Sequence, residues 1–309
     1  MRHGTKMLFS VLVSLAVLPA AAQAGQFSPW TTAEKIDEIG GNSSELNTPY
    51  QDGCPIQSRD GLSLYMASNR PGGQGLLDIW VARRESKSAP WGAPENLGEP
   101  VNSAADEFCP TPVGGNGLYF VSREALPGSC GMGDIYFTRR DADGSWREPK
   151  HLACAPIGPN SELDEQGPSL VDTDRVQFLF FSRSSPTVAG DIFVSKRRPG
   201  KAFGAAVAVA ELNDAVANDI QPNVRKDGRE VVFSSNRTGT LGGQDVWVAT
   251  RDRFGDPWSV PVNVGSAVNT SAAETRPSLS WNAQMLLFGR TPGPEGIGDI
   301  YVSTRAAAP

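Results

Sequence analysis

The stretch Asp219-Ile220-Gln221-Pro222, followed by Asp227-Gly228, Val231-Val232-Phe233-Ser234-Ser235-Asn236-Arg237, a Gly-rich link and Asp245-Val246-Trp247-Val248, is written five times in this chain. An Asp followed by an aliphatic and an aromatic residue recurs as Asp78-Ile79-Trp80, Asp134-Ile135-Tyr136, Asp191-Ile192-Phe193, Asp245-Val246-Trp247 and Asp299-Ile300-Tyr301, at steps of 56, 57, 54 and 54 residues. A proline recurs at Pro55, Pro110, Pro168, Pro222 and Pro277. Three residues before each stands an acid: Asp52, Glu107, Glu165, Asp219 and Glu274. An arginine closes an apolar run at Arg70, Arg123, Arg183, Arg237 and Arg290. Self-similarity at a fixed period marks an architecture of stacked or radial units.

Within one copy, short apolar runs rich in β-formers alternate with turn residues, the grammar of strands and hairpins. Asp60-Gly61 and Asp227-Gly228 supply the positive φ that a tight turn demands. Gly115-Asn116-Gly117 and Trp281-Asn282 fill the same slot in two other copies. Four strands per copy, a to d, make one antiparallel blade, and five blades make an all-β, five-bladed β-propeller. The segment Trp30 to Ile36 matches strand d of the other copies, whereas the chain ends on Tyr301 to Arg305, which is strand c. The N-terminal strand is therefore expected to complete the last blade and latch the ring.

Residues 1–24 read as a signal peptide: basic Arg2, His3 and Lys6, an apolar core from Met7 to Leu18, and small residues at Ala22-Gln23-Ala24. Residues 25–309 are expected to form a single propeller domain, periplasmic or secreted, monomeric and without a membrane span. Loss of the leader leaves 26 basic against 34 acidic residues, a balance that argues against nucleic acid or anionic membrane as a partner. Four cysteines suit an oxidising compartment. The reading favours Cys54–Cys109, which precede the repeat proline in neighbouring blades, with Cys130–Cys154. No CxxC spacing suggests a metal, and no cofactor motif is present.

Hairpin counting sets each repeat arginine between two carboxylates on adjacent strands: Asp52–Arg70–Asp78, Glu107–Arg123–Asp134, Glu165–Arg183–Asp191, Asp219–Arg237–Asp245 and Glu274–Arg290–Asp299. A planar guanidinium can serve two carboxylates, so these groups read first as charge clamps that hold register. The five acids at the start of strand a also lie nearest the axis. Such a ring could bind a cation or sugar hydroxyls, or supply paired carboxylates for glycoside hydrolysis. Nucleophilic catalysis is poorly supplied, because His151 is the one histidine after the leader and falls on an outer strand, where it reads as surface decoration. The Trp residues at 30, 91, 146 and 258 recur with the blades and read as packing.

The order acid, Pro, Asp-Gly, Ser-Asn-Arg, Gly-Gly, Asp-Ile-Trp, seen in Ser68-Asn69-Arg70-Pro71-Gly72-Gly73 with Asp78-Ile79-Trp80, resembles the WD40-like repeats of TolB-type periplasmic proteins. That resemblance implies an exported, non-enzymatic scaffold that meets an envelope or periplasmic protein through one face of the ring. The irregular links Glu124–Gly133 and Thr291–Gly298 mark the candidate face. The alternative expectation is a carbohydrate-binding protein or glycoside hydrolase that uses the acids at the channel mouth, since five-bladed glycosidases place their acids similarly.

Overall fold

In the computed structural model, residues 27–308 are described; the expected signal peptide lies outside them. The first strand is β1 (Glu34–Lys35). Blade 1 holds β2 (Asp52–Gln57), β3 (Ser63–Ser68), β4 (Asp78–Arg83) and β5 (Glu95–Asn96), and blade 2 holds β6 (Glu107–Val113), β7 (Gly117–Ser122), β8 (Asp134–Arg139) and β9 (Lys150–His151). Blade 3 follows as β10 (Asp164–Asp172), β11 (Gln177–Ser185), β12 (Val188–Arg197) and β13 (Val207–Ala208). Blade 4 is β14 (Asp219–Val224), β15 (Glu230–Ser235), β16 (Asp245–Thr250) and β17 (Val262–Asn263). Blade 5 is β18 (Ala273–Leu279), β19 (Met285–Thr291) and β20 (Asp299–Thr304), and its fourth strand is β1, in the order β1-β20-β19-β18. The protein is an all-β, five-bladed propeller, and β1 closes it with Glu34 opposite Val302 and Lys35 opposite Tyr301.

Every strand a carries a bulge just before the repeat proline. The ladder slips between Gly53 and Ile56, Phe108 and Thr111, Gln166 and Ser169, Ile220 and Asn223, and Thr275 and Ser278. Proline has no N–H for a ladder and keeps the residue before it out of the right-handed helical region. That preceding residue is Cys54, Cys109, Gly167, Gln221 or Arg276, each with φ between 48° and 58°. At Gly167 a Cβ would come within 2.6 Å of the Gln221 backbone, so blades 3 and 4 meet at the axis only because this position lacks a side chain.

The cores lie between blades. Trp80 and Trp91 of blade 1 pack with Ile36, Leu287 and Ile300 of blade 5, so the closing seam is apolar. Burying such a side chain stabilises by about 1.5–3 kcal/mol. A polar latch repeats across each seam. Asn47, Asn102, Asn160, Asn213 and Asn269, in the loops between blades, each accept from the N–H and donate to the carbonyl of the residue after the repeat Asp: Ile300, Ile79, Ile135, Ile192 and Val246. The Gly-rich links are close approaches rather than ligand cradles: a Cβ on Gly242 would lie 2.1 Å from the Ala272 carbonyl oxygen of the next blade.

Candidate functional site

The five acids at the start of strand a are buried, none more than 1% exposed. Each accepts from the backbone N–H of a residue in the loop before its blade: Asp52 from Thr48 at 2.6 Å, Glu107 from Ser103 at 2.7 Å, Glu165 from Ser161 at 3.1 Å, Asp219 from Asp214 at 2.6 Å and Glu274 from Thr270 at 3.0 Å. The Thr48, Ser103, Ser161 and Thr270 hydroxyls donate to the same carboxylates. The oxygens of the ring are thus spent on the protein's own donors. Burial pushes Glu165 up to about 7 despite its bonds to Ser161 and Arg183, and it raises Glu107 too.

The expected clamps of one arginine between two carboxylates need correction. Arg70, Arg183, Arg237 and Arg290 pair with Asp52, Glu165, Asp219 and Glu274. Other N–H groups of these arginines go to the loop carbonyls of Glu45, Pro159, Leu212 and Val268 and, from Arg70 and Arg237 Nε, to the Ser68 and Ser235 hydroxyls, not to a second acid. Opposite the ring acid the register places arginine only in blades 3 and 5; Ser68, Ser122 and Ser235 stand there in blades 1, 2 and 4. Asp78, Asp134, Asp245 and Asp299 instead accept from backbone N–H groups of the b–c links, those of Gln74, Cys130, Leu241 and Glu295. Asp191 makes no such bond; burial, with Asp219 nearby, raises its carboxyl.

Blade 2 departs furthest. Arg123 leaves Glu107, which takes the Ser122 hydroxyl at 2.7 Å in its place. Its guanidinium bridges Asp106 at 3.2 Å and Asp164 of blade 3 at 2.7 Å. His151 is not decoration: its Nε2 lies 2.9 Å from Asp134 Oδ2 and 3.0 Å from Asn160 Nδ2, the place that Asn96 and Asn263 take beside Asp78 and Asp245. Cys54 joins Cys109 across the axial ends of blades 1 and 2, and Cys130 joins Cys154. His151 lies close to the second pair, but both sulfurs are committed to each other rather than to a metal.

Along the axis the five bulges and prolines form a collar around a cavity of about 30 Å³, lined by Cys54, Cys109, Gln221 and Arg276. Arg276 reaches across from blade 5, its guanidinium carbon 5.6 Å from the Phe108 ring centre. Protein atoms crowd the group on all sides, which pulls its pKa down to about 10, while the cavity keeps it within reach of water. Beyond the collar, at the end where the a–b turns lie, the axis opens into a funnel of about 150 Å³. Gln57, Arg59, Asp172, Asn223, Lys226 and Trp281 line it. Trp281 is 43% exposed, with Arg59 Cζ 4.5 Å and Lys226 Nζ 5.0 Å from its ring centre. The candidate face expected from the b–c links lies at the opposite end. Sequence reading passed over Trp281 as turn filler, although it is the one tryptophan in an a–b turn; Asn282-Ala283 take the place of Asp60-Gly61 and Asp227-Gly228, and Trp281 stands where those turns have Arg59 and Lys226.

No family model and no curated protein matches the sequence. The fold does match solved structures. A thermostable family-43 glycoside hydrolase aligns with a TM-score of 0.55 at 12% identity, over 86% of this chain and 92% of that one. The α-L-arabinofuranosidase of Podospora anserina, solved with cellotriose, aligns at 0.52 and 10% identity, over 91% and 97%. The endo-arabinanase of Bacillus licheniformis aligns at 0.53 and 13%, over 81% and 92%. At such identities the likeness is one of fold. It corrects the expected kinship with TolB-type repeats, and with it the non-enzymatic scaffold that rested on that kinship. The shared grammar encodes turn caps and bonds between blades, which any four-stranded blade can use, so it identifies the blade without identifying the lineage. Among the described residues no helix is long and apolar enough to cross a membrane.

Proposed function

We propose that this propeller is directed at carbohydrate and binds it in the axial funnel at the a–b turn end. The observation that carries the reading is Trp281, an exposed aromatic face over a concave site edged by the amide, carboxylate and cationic groups of Gln57, Asn223, Asp172, Arg59 and Lys226. A pyranose or furanose ring presents an apolar face to an indole and hydroxyls to its surroundings, and small-ligand sites combine an apolar wall with a few placed polar groups. The fold neighbours support the class of ligand, since structures among them were solved with cellotriose and xylotriose. Titration calorimetry with xylo-, arabino- and cello-oligosaccharides tests the reading. Binding to the wild type that disappears in Trp281→Ala supports it, and heat absent for every sugar ends it.

Hydrolysis is a second reading, favoured by one observation. Just before the ring acid, blades 1, 4 and 5 have Gln51, Asn218 and Ala273, but blades 2 and 3 have Asp106 and Asp164. Two carboxylates on neighbouring blades, bridged by Arg123, break the fivefold rule at the other end of the axis. Glycosidases flank the scissile bond with such a pair. Release of reducing ends from arabino- or xylo-oligosaccharides, lost in Asp106→Asn and Asp164→Asn, is the expected result. Turnover unchanged in both variants removes these residues from the chemistry.

A further inference from the structure

We infer that the ligand of the Trp281 funnel is an acidic glycan, a saccharide chain carrying carboxylates; this rests on the carbohydrate reading and narrows it. The chain as a whole is acidic, with 34 acidic against 28 basic residues. Its charge is nonetheless segregated. Around the funnel spreads an open basin of about 840 Å³ lined by Arg59, Arg139, Arg198, Lys201 and Lys226 together with Trp281. Arg140, on the blade 2 side, lines a second open hollow that Trp281 also borders.

These cations come from the a–b and c–d turns of four blades. None of the six forms an ion pair among the described residues. The acids in the same region are fewer and partly engaged. Asp227 pairs with Arg225, Asp60 is held by the Ser58 hydroxyl and Asp172 accepts from Gln177, which leaves Asp174. A face with this many guanidinium and ammonium groups outside ion pairs repels itself until an anion arrives. Its field also steers anions toward the funnel.

Two features select a sugar acid over other anions. Arg59 and Lys226 lie against the Trp281 ring, so a sugar stacked on the indole brings a ring-borne carboxylate within reach of both cations. Guanidinium meets carboxylate through two parallel N–H bonds, a geometry that uronates present at regular intervals along a chain. The spacing of Arg139, Arg198 and Lys201 around the basin then serves further residues of the same chain.

The probe is an oligogalacturonate, compared with the same oligomer after reduction of its carboxyl groups to neutral alcohols. Calorimetry should show the acidic form binding about tenfold tighter at about 0.05 M salt, with the advantage fading by about 0.5 M. Arg59→Gln/Lys226→Gln should bring the ratio of acidic to neutral affinity close to one. Trp281→Ala should weaken both oligomers. Equal affinity for the two forms overturns the inference and leaves carbohydrate binding standing, whereas no binding of either overturns both. Displacement by double-stranded DNA of matched charge, with Trp281→Ala indifferent, means that the face recognises polyanions rather than sugars, and that also overturns it.

Discussion

The two ends of the axis are built from different kinds of residue. Where the a strands begin, every blade repeats an acid, Asp or Glu, and each acid is buried and bonded to its own loop. Where they end, Gln57, Asp172, Asn223 and Trp281 follow no fivefold pattern and remain open to solvent. Fivefold repetition in this ring marks what each blade needs in order to exist. Departure from it marks what the blades do not need structurally and can devote to a ligand.

The comparison breaks most visibly if a ring acid can be removed cheaply. Asp219→Ala leaves the fully buried end of the Arg237 pair empty and strands a largely covered guanidinium, and chemical denaturation should show a loss of about 3–5 kcal/mol. A loss below about 1 kcal/mol would mean that the repeated end is not structural.

Glu165 gives the next largest effect, read as a slope. Its folded pKa of about 7 lies above the ordinary 4.5, so the folded chain keeps a proton that the unfolded chain releases. The stability this contributes is complete below about pH 4.5 and is lost as the pH rises through about 7. Between those limits the wild type should weaken by on the order of 2–3 kcal/mol from this group, and Glu165→Gln should flatten that part of the curve.

The polar latches between blades are smaller. Asn102→Ala removes a donor and an acceptor that meet the Ile79 backbone at 3.0 and 2.8 Å, and should cost about 1–3 kcal/mol in thermal or denaturant melts. The smallest effect belongs to the unrepeated end. Trp281→Ala should change stability by no more than about 0.5 kcal/mol while abolishing sugar binding, which separates ligand contact from folding.

The blade count, the closing strand and the Cys54–Cys109 pair were legible in the sequence through spacing: period, a spare strand d, and cysteines at equivalent positions; Cys130–Cys154 followed as the remaining pair. The clamps were only half legible. Hairpin counting brings Arg70 to Asp52, but it cannot show that the guanidinium's other donors reach the Glu45 and Leu46 carbonyls in a loop more than 20 residues back. The asparagine latch was present as Asn followed by Ser, Thr or Asp shortly before each ring acid, at Asn47-Thr48, Asn102-Ser103, Asn160-Ser161, Asn213-Asp214 and Asn269-Thr270. It went unread because its partners lie on another blade. The basic basin was invisible for the same reason: Arg59, Arg139, Arg198 and Lys226 are scattered along the chain and meet only once the ring is closed.

The closing seam also orders events in time. Thr31 bonds Ser303, 272 residues further along, so the first strand to emerge from a ribosome or a translocation pore finds its neighbour only when the last has followed. Until then the apolar edge of Ile36, Trp80 and Trp91 has no cover from Leu287 and Ile300, and contacts this distant in sequence form slowly. Assembly of the disc is therefore a post-translational act. The early chain spends its whole passage with one apolar margin uncovered.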